Sequence, residues 1–478
     1  MKYCHNKSDT SLDETRSTSA RRRCIGILAG AALGILTFTA TVAFSQDGDG
    51  IPGREFWTDP AFVESFMGTY GFATDIEPTI TRDEQNFLAE LIELIQEDPR
   101  LAIERLEAAL TADSSAALDF VLGNLYFQLD ETDEAALHYE TALDKFPNFM
   151  RAHKNLAMIR VREGEFSAAA RGFTRTIELG GFDGNTYGLL GLSYLNIERF
   201  HSAESAYRQA LLHDPENLQW RLGAAQVLLA QDRYGEANSI LEELITDAPE
   251  RPEYYLYQAN AFLGMDQPRR AAVNYELVRR LNGATAQSLA TLGDIYLSEE
   301  LPGLATEVYL EAIDRDPPVQ ISRAVRAARN MTGRYAWDEA STLLAEIERR
   351  YEADALEDVG LELTRLRARI QLHAGDEDEA IRLLERVVEE DPLDGASLIL
   401  LARHYGEQGD RERAELLFER AARAPGNEAE AYLRHAEFLV RENHLERAAE
   451  LLRRSQQIRP RENVARYLER IVDILRGR

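Results

Sequence analysis

The sequence predicts an all-α chain, a right-handed superhelical solenoid of about eleven helix pairs closed by a C-terminal helix. Four observations predict it. Alanine recurs as Ala102, Ala135, Ala169, Ala203, Ala237, Ala271 and Ala305, and continues as Ala340, Ala380, Ala414 and Ala448, most often 34 residues apart. Four residues after each alanine comes a large apolar or aromatic side chain, from Leu106, Tyr139 and Phe173 to Phe418 and Leu452. Twelve before each alanine from Ala135 onward stands glycine or alanine, as at Gly123, Ala157, Gly191 and Gly293. Twelve after most of them stands proline or glycine, as at Pro147, Gly181, Pro215 and Pro460.

Each recurrent position has a physical role. The small residue lets the first helix of a pair approach the second, and the anchoring alanine does the same from the other side. The bulky residue four later shares the alanine's helical face and fills the space between successive pairs. Proline or glycine then stops the second helix. One pair cannot bury its own apolar face, so stacking supplies the core.

Taken in order, residues 1–23 are polar and end in Arg21-Arg22-Arg23, followed by an uncharged stretch from Cys24 to Phe44 and the small-x-small run Ala43-Phe44-Ser45. Residues 1–45 therefore read as a signal peptide or, if uncut, an N-terminal anchor. The arginines stay cytoplasmic in either case, so the remainder is expected in the periplasm, free or tethered to the inner membrane and touching it only through this segment. Cys24 precedes the apolar core, which is the wrong side for a lipobox, and no cysteine follows it. A cysteine-free exported chain suits an oxidising compartment.

Residues 46–81 read as linker and aromatic pre-repeat segment. Gln46–Gly53 is rich in Asp and Gly; Asp47-Gly48-Asp49-Gly50 hints at a calcium loop, but Thr58 stands where the closing glutamate belongs. Phe56, Trp57, Phe62, Phe66 and Tyr70 follow, expected to cover the open apolar face of the first repeat or, as the alternative, to form a partner site. Residues 82–316 form a first lobe, and 317–360 an irregular repeat with about six extra residues over a 34-residue unit. Residues 361–460 form a second lobe, and 461–478 a capping helix whose amphipathic run is Asn463–Leu475.

The pattern resembles the tetratricopeptide repeat. The cleanest unit runs from Tyr187 to Pro215, with Leu190, Gly191, Tyr194, Ala203, Tyr207, Ala210 and Pro215 at family positions. The likeness extends over residues 83–460. The usual tryptophan of the first helix is absent, and the unit at Ala102 lacks the small residue, so it reads as a degenerate cap.

Composition limits function. Against 54 Lys and Arg stand 82 Asp and Glu, a formal net charge of −28, which opposes a nucleic-acid partner because phosphates are held by clustered cations. Two cysteines, Cys4 and Cys24, cannot build a disulfide framework. There is no G-x-S-x-G, phosphate-binding glycine loop, H-E-x-x-H or Cys-His metal spacing. No catalytic residue, metal site or cofactor is assigned, and the chain reads as a non-catalytic scaffold.

The resemblance implies a concave groove lined by the first helices, at 18, 15, 11, 8 and 7 residues before each alanine. Those positions display Asn124, Asn185, Asn196, Gln219, Gln226, Asn260, Gln287 and Asp294. Amides pair with both donors and acceptors of an extended backbone, though the same residues also make ordinary soluble surface. In the third unit Arg151, Lys154 and Arg162 fall on one helical face with Met158. They suit a partner's carboxylate or pair with neighbouring acids such as Glu163 and Glu165. Family members that bind chaperones use a carboxylate clamp, but Phe120 and Met158 occupy positions the clamp needs polar.

The stretch 149–195, with those beginning at Gln258 and Ser288, is similar to exported bacterial repeat proteins associated with TonB, ExbB and ExbD energy-transduction systems. That likeness implies an accessory role with such components as partners. The alternative is a general periplasmic scaffold for envelope or polysaccharide assembly.

Overall fold

The computed structural model describes residues 77–477. Among them are 24 helices and no strand, arranged as a solenoid. The first eight pairs are α1 (Arg82–Glu97) with α2 (Pro99–Ala109), α3 (Ala116–Gln128) with α4 (Thr132–Lys145), α5 (Met150–Arg162) with α6 (Phe166–Glu178), α7 (Gly184–Asn196) with α8 (Phe200–His213), α9 (Leu218–Ala230) with α10 (Tyr234–Asp247), α11 (Pro252–Gly264) with α12 (Pro268–Arg280), α13 (Ala286–Ser298) with α14 (Pro302–Asp314), and α15 (Ile321–Gly333) with α16 (Trp337–Arg350). A short α17 (Ala353–Asp358) intervenes. Three more pairs follow: α18 (Gly360–Ala374) with α19 (Glu377–Glu390), α20 (Gly395–Glu407) with α21 (Arg411–Ala421), and α22 (Glu428–Arg441) with α23 (Leu445–Ile458). The last helix is α24 (Glu462–Arg476). The expected signal segment and the aromatic residues Phe56 to Tyr70 lie outside the described residues.

Every anchoring alanine, from Ala102 to Ala448, is 0% exposed, so none has room for a larger side chain. The ring four residues later lies against the small residue of its own pair. A Cβ on Gly191 would stand 2.9 Å from the Tyr207 ring, and one on Gly223, in the next pair, 2.4 Å from it. The tyrosine is thus gripped by two backbones, within its pair and between pairs.

The turns inside the pairs repeat as closely. Five residues before each alanine from Ala135 onward the backbone is left-handed: Asp130, Gly164, Glu198, Asp232, Asp266, Glu300, Tyr335, Gly375, Gly409 and Asn443 all have positive φ. The following amide donates back to a carbonyl near the helix end, as Glu131 to Tyr126 at 3.0 Å and Asp410 to Tyr405 at 2.8 Å. This ends the first helix and reverses the chain. A side chain at Gly409 would meet open space, so only conformation is at stake there. Gly409→Val is expected to lower unfolding free energy by about 1–2 kcal/mol, measurable by urea titration; an unchanged midpoint would contradict this.

The first pair departs from the pattern. A single residue, Asp98, joins α1 to α2 and caps α2 by accepting from the Leu101 amide. Thr81 and Glu84 cap α1 reciprocally. The extra residues after Ala340 form α17, with the Tyr351 hydroxyl donating to the Val319 carbonyl and Leu356 and Val359 partly buried. From there α18 contributes Leu363 and Leu366 to the core before it and Ala368 to the core after it. At the end α24 buries Val464 and Ile471 against the last pairs.

Candidate functional site

The face made by the first helices of the pairs carries the candidate residues, and the structure divides them into two groups. Some are tied into the repeat itself. The Tyr139 hydroxyl donates to Asn124 Oδ1 at 2.6 Å, and Asn155 Nδ2 donates to the same oxygen at 3.0 Å. Asn124 is 0% exposed, which corrects its expected place on the groove surface. Tyr275 likewise donates to Asn260 at 2.7 Å, and Tyr309 to Asp294. The cause is general: a tyrosine buried four residues after the alanine brings a hydroxyl into the core, and that hydroxyl needs an acceptor. The residue after the small one stands beside it. Asp294 also holds Arg323 at 2.8 Å, so it links two units rather than facing a partner.

The remaining amides differ among themselves. Gln226 donates to the Tyr257 hydroxyl at 2.6 Å, and Asn196 to the Leu192 carbonyl of its own helix at 2.9 Å. Asn185 and Gln219 are half-buried and Gln287 is exposed, and all three stay on the first-helix face.

The cations of the third unit do not stand as an isolated stripe. Arg151 pairs with Glu77 at 2.6 Å, Lys154 with Asp183 at 2.7 Å, and Arg162 with Asp130. Arg151 is only 17% exposed, and its guanidinium lies 5.0 Å from the Phe120 ring centroid and 5.8 Å from that of Phe149. Glu163 and Glu165, the acids closest in sequence, pair with Arg160 instead, at 2.8 and 3.2 Å. Pairing with acids is what the structure shows, though the partners of Arg151, Lys154 and Arg162 come from other segments.

Lys154 has a structural counterpart. Fifteen residues before their alanines, Lys154 and Arg365 each reach the aspartate that caps the next unit's first helix, Asp183 and Asp394. Asp183 accepts from the Thr186 amide at 2.7 Å, and Asp394 from Ala396 and Ser397 at 3.1 and 3.2 Å. Burial alone would raise the Asp183 pKa, but the Lys154 charge and the hydrogen bonds from Lys154 and Thr186 outweigh it and leave the pKa lowered. Because the folded pKa is depressed, this contribution to stability is complete above the unfolded value, roughly 3.9, and is lost as pH falls through the folded one. The stability difference between wild type and Asp183→Asn should therefore be constant near neutrality and shrink below about pH 4. A difference that grows on acidification would contradict it.

Arginines that the groove reading passed over occupy the second lobe. Eleven residues before their alanines, the place of Asn124, Asn260 and Asp294 in earlier units, stand Arg329, Arg369 and Arg403. Arg329 meets Glu362 at 3.0 Å and Arg403 meets Glu407 at 3.9 Å, both arginines about half exposed. The signal was present in the sequence: the same counting rule, continued past Asp294, finds all three.

Among the described residues no three His, Cys, Asp or Glu side chains are placed to hold a metal ion. No described helix is long and apolar enough to cross a membrane. His435 packs flat against Phe418, centroids 5.1 Å apart, and burial holds its pKa down.

Two profiles described as tetratricopeptide repeat match this chain, one at 198–261 and 371–432, the other at 93–148 and 120–183. The chain carries tetratricopeptide repeats. It is similar to the TPR repeat-containing protein YpiA of Bacillus subtilis, 24% identical over 300 residues that span 61% of this chain and 67% of that protein. It is also similar to the general transcriptional corepressor trfA of Dictyostelium discoideum, 34% identical over 119 residues, and to Hsp70-Hsp90 organizing protein 3 of Arabidopsis thaliana, 25% identical over 122. These matches span 24% and 26% of this chain but only 8% and 22% of the two relatives. Among solved structures, a tetratricopeptide repeat protein from Parabacteroides merdae aligns with a TM-score of 0.37 at 21% identity, covering 48% of this chain and 91% of that one. YrrB, a repeat protein whose structure was described as having an unusual peptide-binding site, aligns at 0.35 and 16%, covering 40% and 96%.

Proposed function

We propose that this repeat array is a non-catalytic scaffold holding a protein partner on its first-helix face, on the periplasmic side of the inner membrane. One observation carries the binding part. The second helices spend their recurrent alanines and rings on the core, while the exposed Gln287 and the half-buried Asn185 and Gln219 keep amides on the first helices suited to an extended backbone. The location rests on the order of Arg21-Arg22-Arg23, the uncharged stretch and Ala43-Phe44-Ser45. The likeness of 149–195 and of the stretches at Gln258 and Ser288 to repeat proteins of TonB-type systems supports an accessory role beside TonB, ExbB or ExbD components.

Affinity capture of the full chain from its own cells, followed by mass spectrometry, tests both parts. Capture of envelope proteins by wild type, lost on joint replacement of Gln219 and Gln287 by glutamate, supports the reading. Recovery of the chain from cytosol with Met1 intact would overturn the location, and capture indifferent to those replacements would overturn the binding face.

A further inference from the structure

The second lobe carries a charge arrangement that the scaffold reading does not explain. Arg329, Arg369 and Arg403 sit at one register position on α15, α18 and α20, successive first helices of the stack. The same position holds Asp294 in the unit before and Glu437 in the unit after, so the run of cations has two defined ends. Its middle member differs from its neighbours. Arg329 and Arg403 each have a glutamate within reach, whereas Arg369 forms no ion pair among the described residues. Its guanidinium lies 5.9 Å from the Trp337 ring centroid, and Trp337 is stacked on His373 at 4.8 Å and 16°. Half-buried without a carboxylate, its charged form is disfavoured and its pKa lies below the arginine norm. A half-buried cation held against an aromatic ring and left without a carboxylate is one that a ligand's carboxylate would stabilise.

We propose that this arginine run binds an acidic, extended segment of a protein partner, with one carboxylate seated on Arg369 and others on Arg329 and Arg403. This rests on the reading that the first-helix face binds protein, and supplies the partner's chemistry. Packed helices lie about 8–10 Å apart, and an extended chain advances roughly 3.3 Å per residue. Acidic residues three apart therefore meet successive arginines, and three arginines match a stretch of about seven residues. The chain's net charge of −28 opposes a long polyanion such as nucleic acid and leaves this local run as the attractive element.

The probe is a fluorescein-labelled heptapeptide with glutamate at its first, fourth and seventh positions and glycine between, titrated against the full chain by fluorescence anisotropy. Saturable binding is expected, weakening as salt rises. Arg369→Glu should weaken it by at least about tenfold, Arg369→Lys should retain most of it, and Arg454→Glu, on the outer helix α23, should leave it unchanged. Should Arg369→Glu fail to fold, Arg329→Gln combined with Arg403→Gln tests the same run at exposed positions and should weaken binding. The inference is overturned if the glutamine version of the peptide binds equally well, if these arginine changes are silent, or if a seven-nucleotide oligothymidylate binds more tightly. A synthetic probe separates this from the scaffold reading: failure to capture a cellular partner leaves the titration intact. A captured partner indifferent to Arg369→Glu overturns the arginine site alone.

Discussion

Replacing Tyr207 by alanine is expected to lower the unfolding free energy by about 3–5 kcal/mol. The ring is 2% exposed and wedged between Gly191 and Gly223, which belong to successive pairs. Neither backbone can close the gap, because each is held by its own helix. Stability in a stack is a sum of units and nearest-neighbour interfaces, so the loss should be local. Hydrogen exchange should show faster opening in α7 to α10 and little change in α20 to α23. Uniform destabilisation along the chain would contradict nearest-neighbour stacking.

Charge reversal in the third unit carries the next largest effect. Arg151→Glu is expected to destabilise the fold by roughly 3–5 kcal/mol, the cost of leaving a largely buried partner charge uncompensated. Arg151 and Glu77 are 17% and 10% exposed, and the arginine also covers Phe120 and Phe149. Arg162→Glu, at a pair that is one-third and two-thirds exposed, should cost no more than about 1 kcal/mol. Thermal unfolding of the two variants side by side decides the matter. A stable Arg151→Glu protein would return this cation to the list of partner-binding groups.

Much of the architecture is legible in the sequence because its constraints are local and repeated. An alanine that touches two helices has one size that fits, so Ala102 to Ala448 stand out by period alone, and all are 0% exposed. The left-handed turn residues are less visible. Gly164, Gly375 and Gly409 mark them, but Asp130, Glu198, Asp232, Asp266, Glu300, Tyr335 and Asn443 adopt the same backbone, since the helix geometry on either side imposes it whatever the side chain. Register alone puts Asn124 on the groove surface, because it assigns a helix face but not the needs of the neighbouring ring, which draws Asn124 into the core. The co-occurrence of Tyr139, Tyr275 and Tyr309 with Asn124, Asn260 and Asp294 is the sequence sign of that bond, and Leu192 opposite Tyr207 is its exception. The partners of Arg151 and Lys154 lie 74 and 29 residues away. Local charge pattern therefore points to Glu163 and Glu165, which follow the end of α5 and pair with Arg160 instead.

That a protein partner lies along the first helices is tested most directly by photo-cross-linking. The chain holds only four lysines, Lys2, Lys7, Lys145 and Lys154, and the last two are engaged in ion pairs, so amine reagents are poorly suited. A photoactivatable residue placed in turn at Gln219, Gln287 and Arg403, and at Leu137, Val273 and Leu416 on exposed positions of the second helices, reads the contact face in the captured complex. Cross-links from the first three and none from the last three are the predicted result. Cross-links confined to Leu137, Val273 and Leu416 would place the partner on the opposite side of the stack and contradict it.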